Sequence, residues 1–313
     1  MVKKTILVAG GSGNLGSHLH HYLKDSFETI STYFKNQKYK NKKNYIKLNL
    51  NNKIKIIRIV KKKKINVIIH TSAITDVSYC EKNKNNCYEA NFEQTKSLVD
   101  ICKKQKIKLI YISTDAVYDN LRNKAPFKES NSLNHVNHYQ FCKVKSEKYI
   151  LENLKNYLII RTNPFGLNNH KNSIYWLFDG VKKRQSILGF YDIIYNPIFS
   201  GDLAKYILFF IKKNIRGKIN VGTKNSTNKY ELAKIILKKF NIKKVVKRIS
   251  ITNFSLVKRK LDTRLDLNKL KKIINNKHVL TLNKTIKNFY EFEKKISKKK
   301  LISHLKPKKM PKN

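Results

Sequence analysis

Three glycines at three-residue spacing, Gly10, Gly13 and Gly16, separate a short apolar run, Thr5-Ile-Leu-Val-Ala9, from a helical pattern, GNLGSHLHHYLKDS. A strand that passes through glycines straight into a helix gathers the unpaired N–H groups of the helix N-terminus at one point, where they suit an anion. In such a GxxGxxG loop the first glycine permits the tight turn, the second lets the backbone approach a pyrophosphate, and the third lets the helix pack on the strand. A P-loop would need Lys-Ser or Lys-Thr after its last glycine, whereas Gly16 is followed by Ser17 and His18. The loop therefore reads as a dinucleotide cradle. His18, His20 and His21 on the following helix have no accompanying carboxylate pattern and read as helix surface.

The strand–helix alternation continues. ETISTYF (28–34), INVIIHTSA (65–73), IKLIYISTDAVY (107–118) and NYLIIRT (156–162) read as buried strands, and NCYEANFEQTKSLVDICKKQ as one intervening helix. That order predicts a Rossmann-type, doubly wound parallel α/β sheet with helices on both faces. Beyond Asn163 the pattern becomes irregular, with Pro164, Gly166, Gly180, Gly189 and Pro197, before a helix (DLAKYILFFIKK), a strand (KINVGT) and another helix (KYELAKIILKKF). The expected organisation is a cofactor domain over 1–165, completed by segments around 195–224, a smaller interleaved substrate lobe over 166–293, and a flexible basic tail over 294–313. Trp176, Phe178 and Tyr191 fall in the region that shapes the lobe and read as core aromatics.

Charge restricts the partners less than its size suggests. The 313 residues hold 68 Lys+Arg against 20 Asp+Glu, a formal +48. Such an excess points to nucleic acid when it forms one stripe. Here lysine punctuates nearly every segment, so the excess reads as a compositional bias, and no specific nucleic-acid partner is expected. Cys80, Cys87, Cys102 and Cys142 show neither CxxC spacing nor a paired histidine motif. They read as reduced thiols of a cytoplasmic protein, with no metal site. No apolar stretch approaches the ~20 residues of a membrane span.

The end of the second strand speaks to the cofactor. An NAD site commonly places Asp or Glu there, on the ribose hydroxyls. No acidic residue occurs between Thr29 and Thr75, and the strand runs out into Tyr33-Phe34-Lys35. A lysine beside a 2′-phosphate is favourable, so NADPH is expected, with NADH the alternative. For chemistry, Tyr139 and Lys143 form a YxxxK pair whose i,i+4 spacing puts both on one helix face. An ammonium beside the phenol would lower the tyrosine pKa. Tyr39/Lys43, Tyr230/Lys234 and Tyr290/Lys294 share the spacing, so context must choose. Only Tyr139 follows a strand ending in a hydroxyl, Thr114, and can meet it at the carboxyl ends of the strands, where open α/β sheets bind ligands.

Taken in order, GGSGNLG, HTSAITDVSYCE, ANFEQTKSLV, ISTDAVYD, PFKE, YQFCK and RTNPFG resemble an extended short-chain dehydrogenase/reductase. STDAVYD, TDVSYCE and VKRKLDTRLDLNKL are most similar to dTDP-4-dehydrorhamnose reductase and its sugar-nucleotide-binding relatives, over about residues 3 to 275. The resemblance implies an NAD(P)H-dependent reductase of a 4-keto-6-deoxy nucleotide sugar, placed in dTDP-rhamnose and polysaccharide biosynthesis, with a homodimer as an option. Thr114 would bond the reacting oxygen, Tyr139 would donate the proton, and Lys143 would hold the nicotinamide ribose. Gly10, Gly13, Asn14, Leu15 and Gly16 would cradle the pyrophosphate, with Lys35 at the 2′-phosphate and Asn49-Leu50 at the adenine. Thr71, Ser72, Ala73 and Asn91 would line the cofactor, and Asp115 and Arg259 would face the sugar nucleotide.

Three positions depart from the family pattern: Asn49 for an acid, Asn120 for a glycine, and Lys260 for the proline after Arg259. Two rivals share the scaffold. A nucleotide-sugar epimerase or dehydratase would recycle its cofactor, and a dehydratase needs an Asp-Glu pair where this chain has Asp115-Ala116. A non-catalytic sugar-nucleotide-binding subunit would have no use for Thr114, Tyr139 and Lys143 together.

Overall fold

Alternation of apolar and polar residues decides which face of the sheet each side chain meets. The computed structural model of the chain describes residues 3–167 and 174–297. The first half runs β1 (Thr5–Ala9), α1 (Asn14–Leu23), β2 (Glu28–Tyr33), β3 (Tyr45–Lys47), α2 (Lys53–Lys62) and β4 (Ile65–His70). It continues through α3 (Val77–Lys82), α4 (Lys84–Tyr88), a π turn (Glu89–Glu93), α5 (Gln94–Gln105), β5 (Lys108–Thr114), α6 (His138–Asn153) and β6 (Tyr157–Phe165). Along β1 every residue is buried. Ile6 and Val8 pack with Leu19 of α1 on one face, while Leu7 and Ala9 meet Ile56 of α2 and Leu98 of α5 on the other. Strands covered on both sides are the mark of a parallel sheet between two helical layers.

The second half supplies α7 (Tyr175–Lys182), β7 (Ile187–Phe190), β8 (Ile194–Tyr195), β9 (Pro197–Phe199), α8 (Ser200–Lys212), β10 (Gly217–Val221) and β11 (Thr227–Asn228). It ends with α9 (Lys229–Lys239), β12 (Val246–Ile249), α10 (Asn268–Ile274) and α11 (Leu282–Ser297). The main sheet has the order β10-β6-β5-β4-β1-β2-β3, and β9 adds to the end of β6. All its pairs are parallel. Chain order reverses between β1 and β4, which opens a crevice above their carboxyl ends. A smaller lobe pairs β7 with β12 and β8 with β11, and packs Phe165, Leu177, Phe178, Ile236 and Phe289 into a core of its own.

Several expectations change. The helix expected to be continuous from Asn86 to Gln105 is broken by the π turn at Glu89–Glu93, which carries Asn91. Such a bulge re-aims side chains by a fraction of a turn. His18 is buried, wedged between the rings of Phe199 and Phe292, and is not on the surface. Its imidazole Nδ1 finds no partner, and burial pushes its pKa down to about 4. Tyr191 is exposed under the Arg248 guanidinium and is not core. Lys294 to Ser297 form the last turn of α11; the rest of the expected tail lies outside the described residues. Among the described residues no helix is long and apolar enough to cross a membrane.

One buried acid makes stability depend on pH. Glu293 of α11 is buried, Oε1 has no partner, and burial pushes its pKa up to about 8. The folded state therefore holds the proton more tightly than the unfolded chain does. Its contribution is whole below the unfolded pKa near 4.5 and is lost as pH rises toward 8. Glu293→Gln is expected to flatten the pH dependence of the urea midpoint between pH 5 and 8. At pH 8 it should stabilise the chain by on the order of 1–3 kcal/mol. Parallel curves for the two proteins would refute the assignment.

Candidate active site

The glycine loop closes as its spacing requires. Gly10 has φ +92°, and a Cβ there would lie 2.7 Å from the Ser72 nitrogen. At Gly16 a Cβ would come within 2.2 Å of the Gly10 carbonyl oxygen, so only glycine lets α1 approach the turn. Gly13 donates to that oxygen at 2.9 Å and starts α1 without a side-chain cap. The next three N–H groups, of Asn14, Leu15 and Gly16, have no acceptor within the helix. Leu15 contributes only its backbone, because its side chain is core. The Asn14 amide donates to Ser200 Oγ at 3.0 Å, while its buried Oδ1 has no partner.

Beside the loop, a pocket is lined by Gly10, Ser12, Thr32, Tyr33, Phe34, Leu48, Asn49, Leu50, Ser72 and Gln94. No carboxylate lines it. Four expected cofactor residues, Gly10, Asn49, Leu50 and Ser72, thus meet around one space, and exposed Lys35 is the next residue in the chain after lining Phe34. Thr71 Oγ1 donates to the carbonyls of Ala9 and Gly10 at 3.1 and 3.2 Å, which braces the turn. Ala73 lies next in the same half-buried loop. Asn91 has another role than lining. Its Oδ1 accepts from the Ile74 N–H at 2.8 Å and its Nδ2 donates to the Ile74 oxygen at 2.9 Å, so it holds that loop from behind.

At the carboxyl ends of β5 and β6, in register with Thr162, stands Thr114. Its hydroxyl donates to Asp115 Oδ1 at 3.0 Å, and the Tyr139 phenol on the first turn of α6 lies near enough to feel both Thr114 and Asp115. Asp115 is buried and accepts from Asn163 Nδ2 at 3.0 Å and Thr263 Oγ1 at 2.8 Å. Burial raises its pKa, and those hydrogen bonds oppose the rise. Lys143 is buried one turn after Tyr139. Its Nζ donates to the Ile112 oxygen at 2.7 Å and lies 4.1 Å above the Tyr111 ring centre. Burial pulls its pKa down to about 7 against the attraction of Glu147.

One electrostatic expectation reverses. The Tyr139 phenol is pushed above its ordinary pKa, first by burial and then by the charge of Asp115. The Lys143 ammonium is turned onto Ile112 instead of the phenol, so it does not lower that pKa here. The Tyr139 phenol therefore holds its proton firmly, as an acid must.

On the lobe side, Arg259 has a buried Nε without a partner, and burial lowers its pKa. Lys229, pushed down to about 8 by burial, feels the Arg259 charge. The two form a cationic pair that sequence reading did not join. Lys260, which departs from proline, buries its ammonium on the carbonyl oxygens of Tyr118 and Asn134. Asn137, the cap of α6, donates to the Lys258 oxygen at 3.0 Å, so the Arg259 loop is tied to the helix of Tyr139. Asn120 donates to the Asp262 oxygen at 2.7 Å in the same loop.

Sequence reading missed Asn163, Thr263 and the charge pair beneath the site. Asn163 and Thr263 lie inside RTNPFG and LDTRLD, which carried the resemblance without a role for either. Glu147 on α6 and Arg161 on β6 are both buried, with Nη2 to Oε2 at 2.7 Å, and Ser113 donates to Glu147 at 2.5 Å. Tyr139, Lys143 and Glu147 at i, i+4 and i+8 form one helix face, a period that the abundant lysines obscure.

A glycine cradle at the switch point of a parallel sheet, facing a Thr–Tyr–Lys group on the next strand and helix, defines an extended short-chain dehydrogenase/reductase. The family model described as RmlD substrate binding domain matches residues 4–291, and the chain belongs to that family. No curated protein sequence matches it. Among solved structures, dTDP-4-dehydrorhamnose reductase of Bacillus anthracis in complex with NADP superposes at TM-score 0.82 and 22% identity, covering 93% of this chain and 100% of that one. A hypothetical dTDP-4-dehydrorhamnose reductase of Sulfolobus tokodaii is 30% identical over 87% of this chain and 95% of its own, at TM-score 0.76. UDP-N-acetylglucosamine 4-epimerase of Methanobrevibacter ruminantium reaches the same TM-score at 23% identity, covering 93% and 100%. The chain thus has the fold of sugar-nucleotide reductases and of related epimerases.

Proposed function

We propose that this protein is an NADPH-dependent reductase of a 4-keto-6-deoxy nucleotide sugar. The observation that carries the reading is the grouping of buried Thr114 and Asp115 with half-buried Tyr139, and Lys143 one turn away, at the strand ends beside the glycine cradle. The pocket fits an adenine dinucleotide: unpaired helix N–H groups meet a phosphate, and a carboxylate-free wall meets a phosphorylated ribose. The Bacillus anthracis relative is a complex with NADP.

Gly10, Gly13, Asn14, Leu15 and Gly16 hold the pyrophosphate, Lys35 the 2′-phosphate, Asn49 and Leu50 the adenine. When bound, the nicotinamide supplies the hydride. When substrate binds, the Thr114 hydroxyl turns from Asp115 to donate to the keto oxygen, and Tyr139 donates beside it. Because burial and Asp115 hold the phenol protonated, Tyr139 delivers its proton only as the alkoxide forms. Lys143 is assigned to the nicotinamide ribose hydroxyls. Asp115, fixed by Asn163 and Thr263, holds the Thr114 hydroxyl until substrate arrives and borders the sugar. Arg259 and Lys229 supply the charge for the diphosphate of the nucleotide sugar.

Four free, buried cysteines suit a reducing compartment, and we assign the protein to the cytoplasm. The test is a panel of 4-keto nucleotide sugars assayed with NADPH and NADH. One NADPH should be oxidised per product, with NADH slower. Cofactor recycled without net oxidation would establish the epimerase or dehydratase reading, which the fold alone shares.

A further inference from the structure

Linear spacing offered no metal-ligand set, yet folding brings one together beside the active-site helix. Cys87 of α4 and Cys142 of α6 are wholly buried, with their Sγ atoms 3.9 Å apart. His138 lies one turn before Cys142, and its ring nitrogen and the two sulfurs all fall within 4.8 Å of one another. Fifty-five positions separate the two cysteines, so no local motif announces the group.

We propose that Cys87, Cys142 and His138 form a three-ligand site for a thiophilic cation, Zn²⁺. The first argument is metric. Zinc–sulfur bonds of ~2.3 Å in a tetrahedron place two sulfurs about 3.8 Å apart, which these two already match. The second is donor chemistry. Two thiolates with one imidazole select zinc over magnesium or calcium, and no carboxylate belongs to the group.

The third argument is the surrounding shell. His138 Nε2 lies 3.0 Å from the Lys84 carbonyl oxygen, an acceptor that puts the proton on Nε2 and leaves the Nδ1 lone pair for a metal. The Asn91 amide donates to Cys87 Sγ at 3.2 Å and approaches Cys80 Sγ at 3.9 Å, which favours thiolate. Cys80 stands beside the group, its thiol donating to the Ile74 oxygen at 3.6 Å. A cation here would bind α4 to the first turns of α6, on either side of Tyr139. Because ligands from two segments meet only in the folded chain, its binding adds to folding stability.

The experiment uses the full chain, purified with zinc and dialysed against a weak chelator, with metal content measured by mass spectrometry. About one zinc per chain is expected, retained by Cys102→Ser, whose thiol lies in a different core cluster. Cys87→Ser and Cys142→Ser should each lower occupancy at least tenfold. Cobalt added to the metal-free wild-type chain should give a thiolate-to-cobalt charge-transfer band, a readout that needs neither variant to fold and no enzymatic activity. A wild-type chain that holds no zinc and shows no cobalt band overturns the site. So does occupancy unchanged by both substitutions, or isolation of Cys87 and Cys142 as a disulfide that leaves two titratable thiols.

Discussion

Replacing Tyr139 by Phe is expected to lower kcat by about 10³-fold while the dissociation constant for NADPH changes less than about threefold. The substitution removes only the phenolic oxygen. The ring, which packs against the buried Cys80, Cys87 and Cys142 cluster, remains in place. What disappears is the one acidic proton that burial and Asp115 hold beside the Thr114 hydroxyl. Thr114 still donates a hydrogen bond to the carbonyl oxygen, so residual turnover should exceed the uncatalysed rate. Single-turnover reduction monitored at the nicotinamide absorbance separates chemistry from binding. Activity within tenfold of wild type would remove Tyr139 from the proton-donor role and leave the binding-subunit reading standing.

Arg161→Met should be the most destabilising single change outside the glycine loop, by about 3–5 kcal/mol, because it leaves Glu147 charged and unpaired in the core. Both partners are almost fully buried, and the guanidinium bonds both carboxylate oxygens and the Glu129 carbonyl while lying 4.7 Å from the Tyr118 ring centre. A loss of that size approaches the whole stability of an ordinary domain. The double variant Arg161→Met/Glu147→Leu, which removes both charges, should recover most of it in urea unfolding. It should still turn over slowly, since Glu147 braces Ser113 of β5 and attracts Lys143. Equal stability of the single and double variants would show that the pair is not energetically coupled.

Features that depend on neighbours in sequence were legible from the chain alone. The apolar runs, the GxxGxxG spacing and the order Thr114, Tyr139, Lys143 specify a parallel sheet and its ligand edge, because strand period, helix period and turn chemistry are local. The acid-free stretch from Thr29 to Thr75 was equally plain, and it corresponds to the carboxylate-free pocket wall. Element boundaries were less so. The short β3 and the lysine-rich α2 carry few apolar positions, and the π turn at Glu89–Glu93 differs from a helix only by one hydrogen-bond step.

Electrostatics misled where it was argued from spacing. The i,i+4 relation of Tyr139 and Lys143 is real, but the Ile112 carbonyl sets the ammonium's direction, and burial, with Asp115 second, sets the phenol. His18 carried a polar letter on a helix whose other face is exposed, and its burial depends on Phe199 and Phe292, far along the chain.

By itself the sequence determined a dinucleotide-binding α/β fold and pointed to the three residues proposed for chemistry, since both follow from local periodicity and from order along the chain. Only the tertiary structure decided the charge environment of the phenol, the Arg161–Glu147 support, the Arg259–Lys229 pair and the Cys87–Cys142–His138 cluster. Each joins residues from separate elements, and the free energy of a charge or thiol depends on how much water and which distant partner the packed chain leaves it.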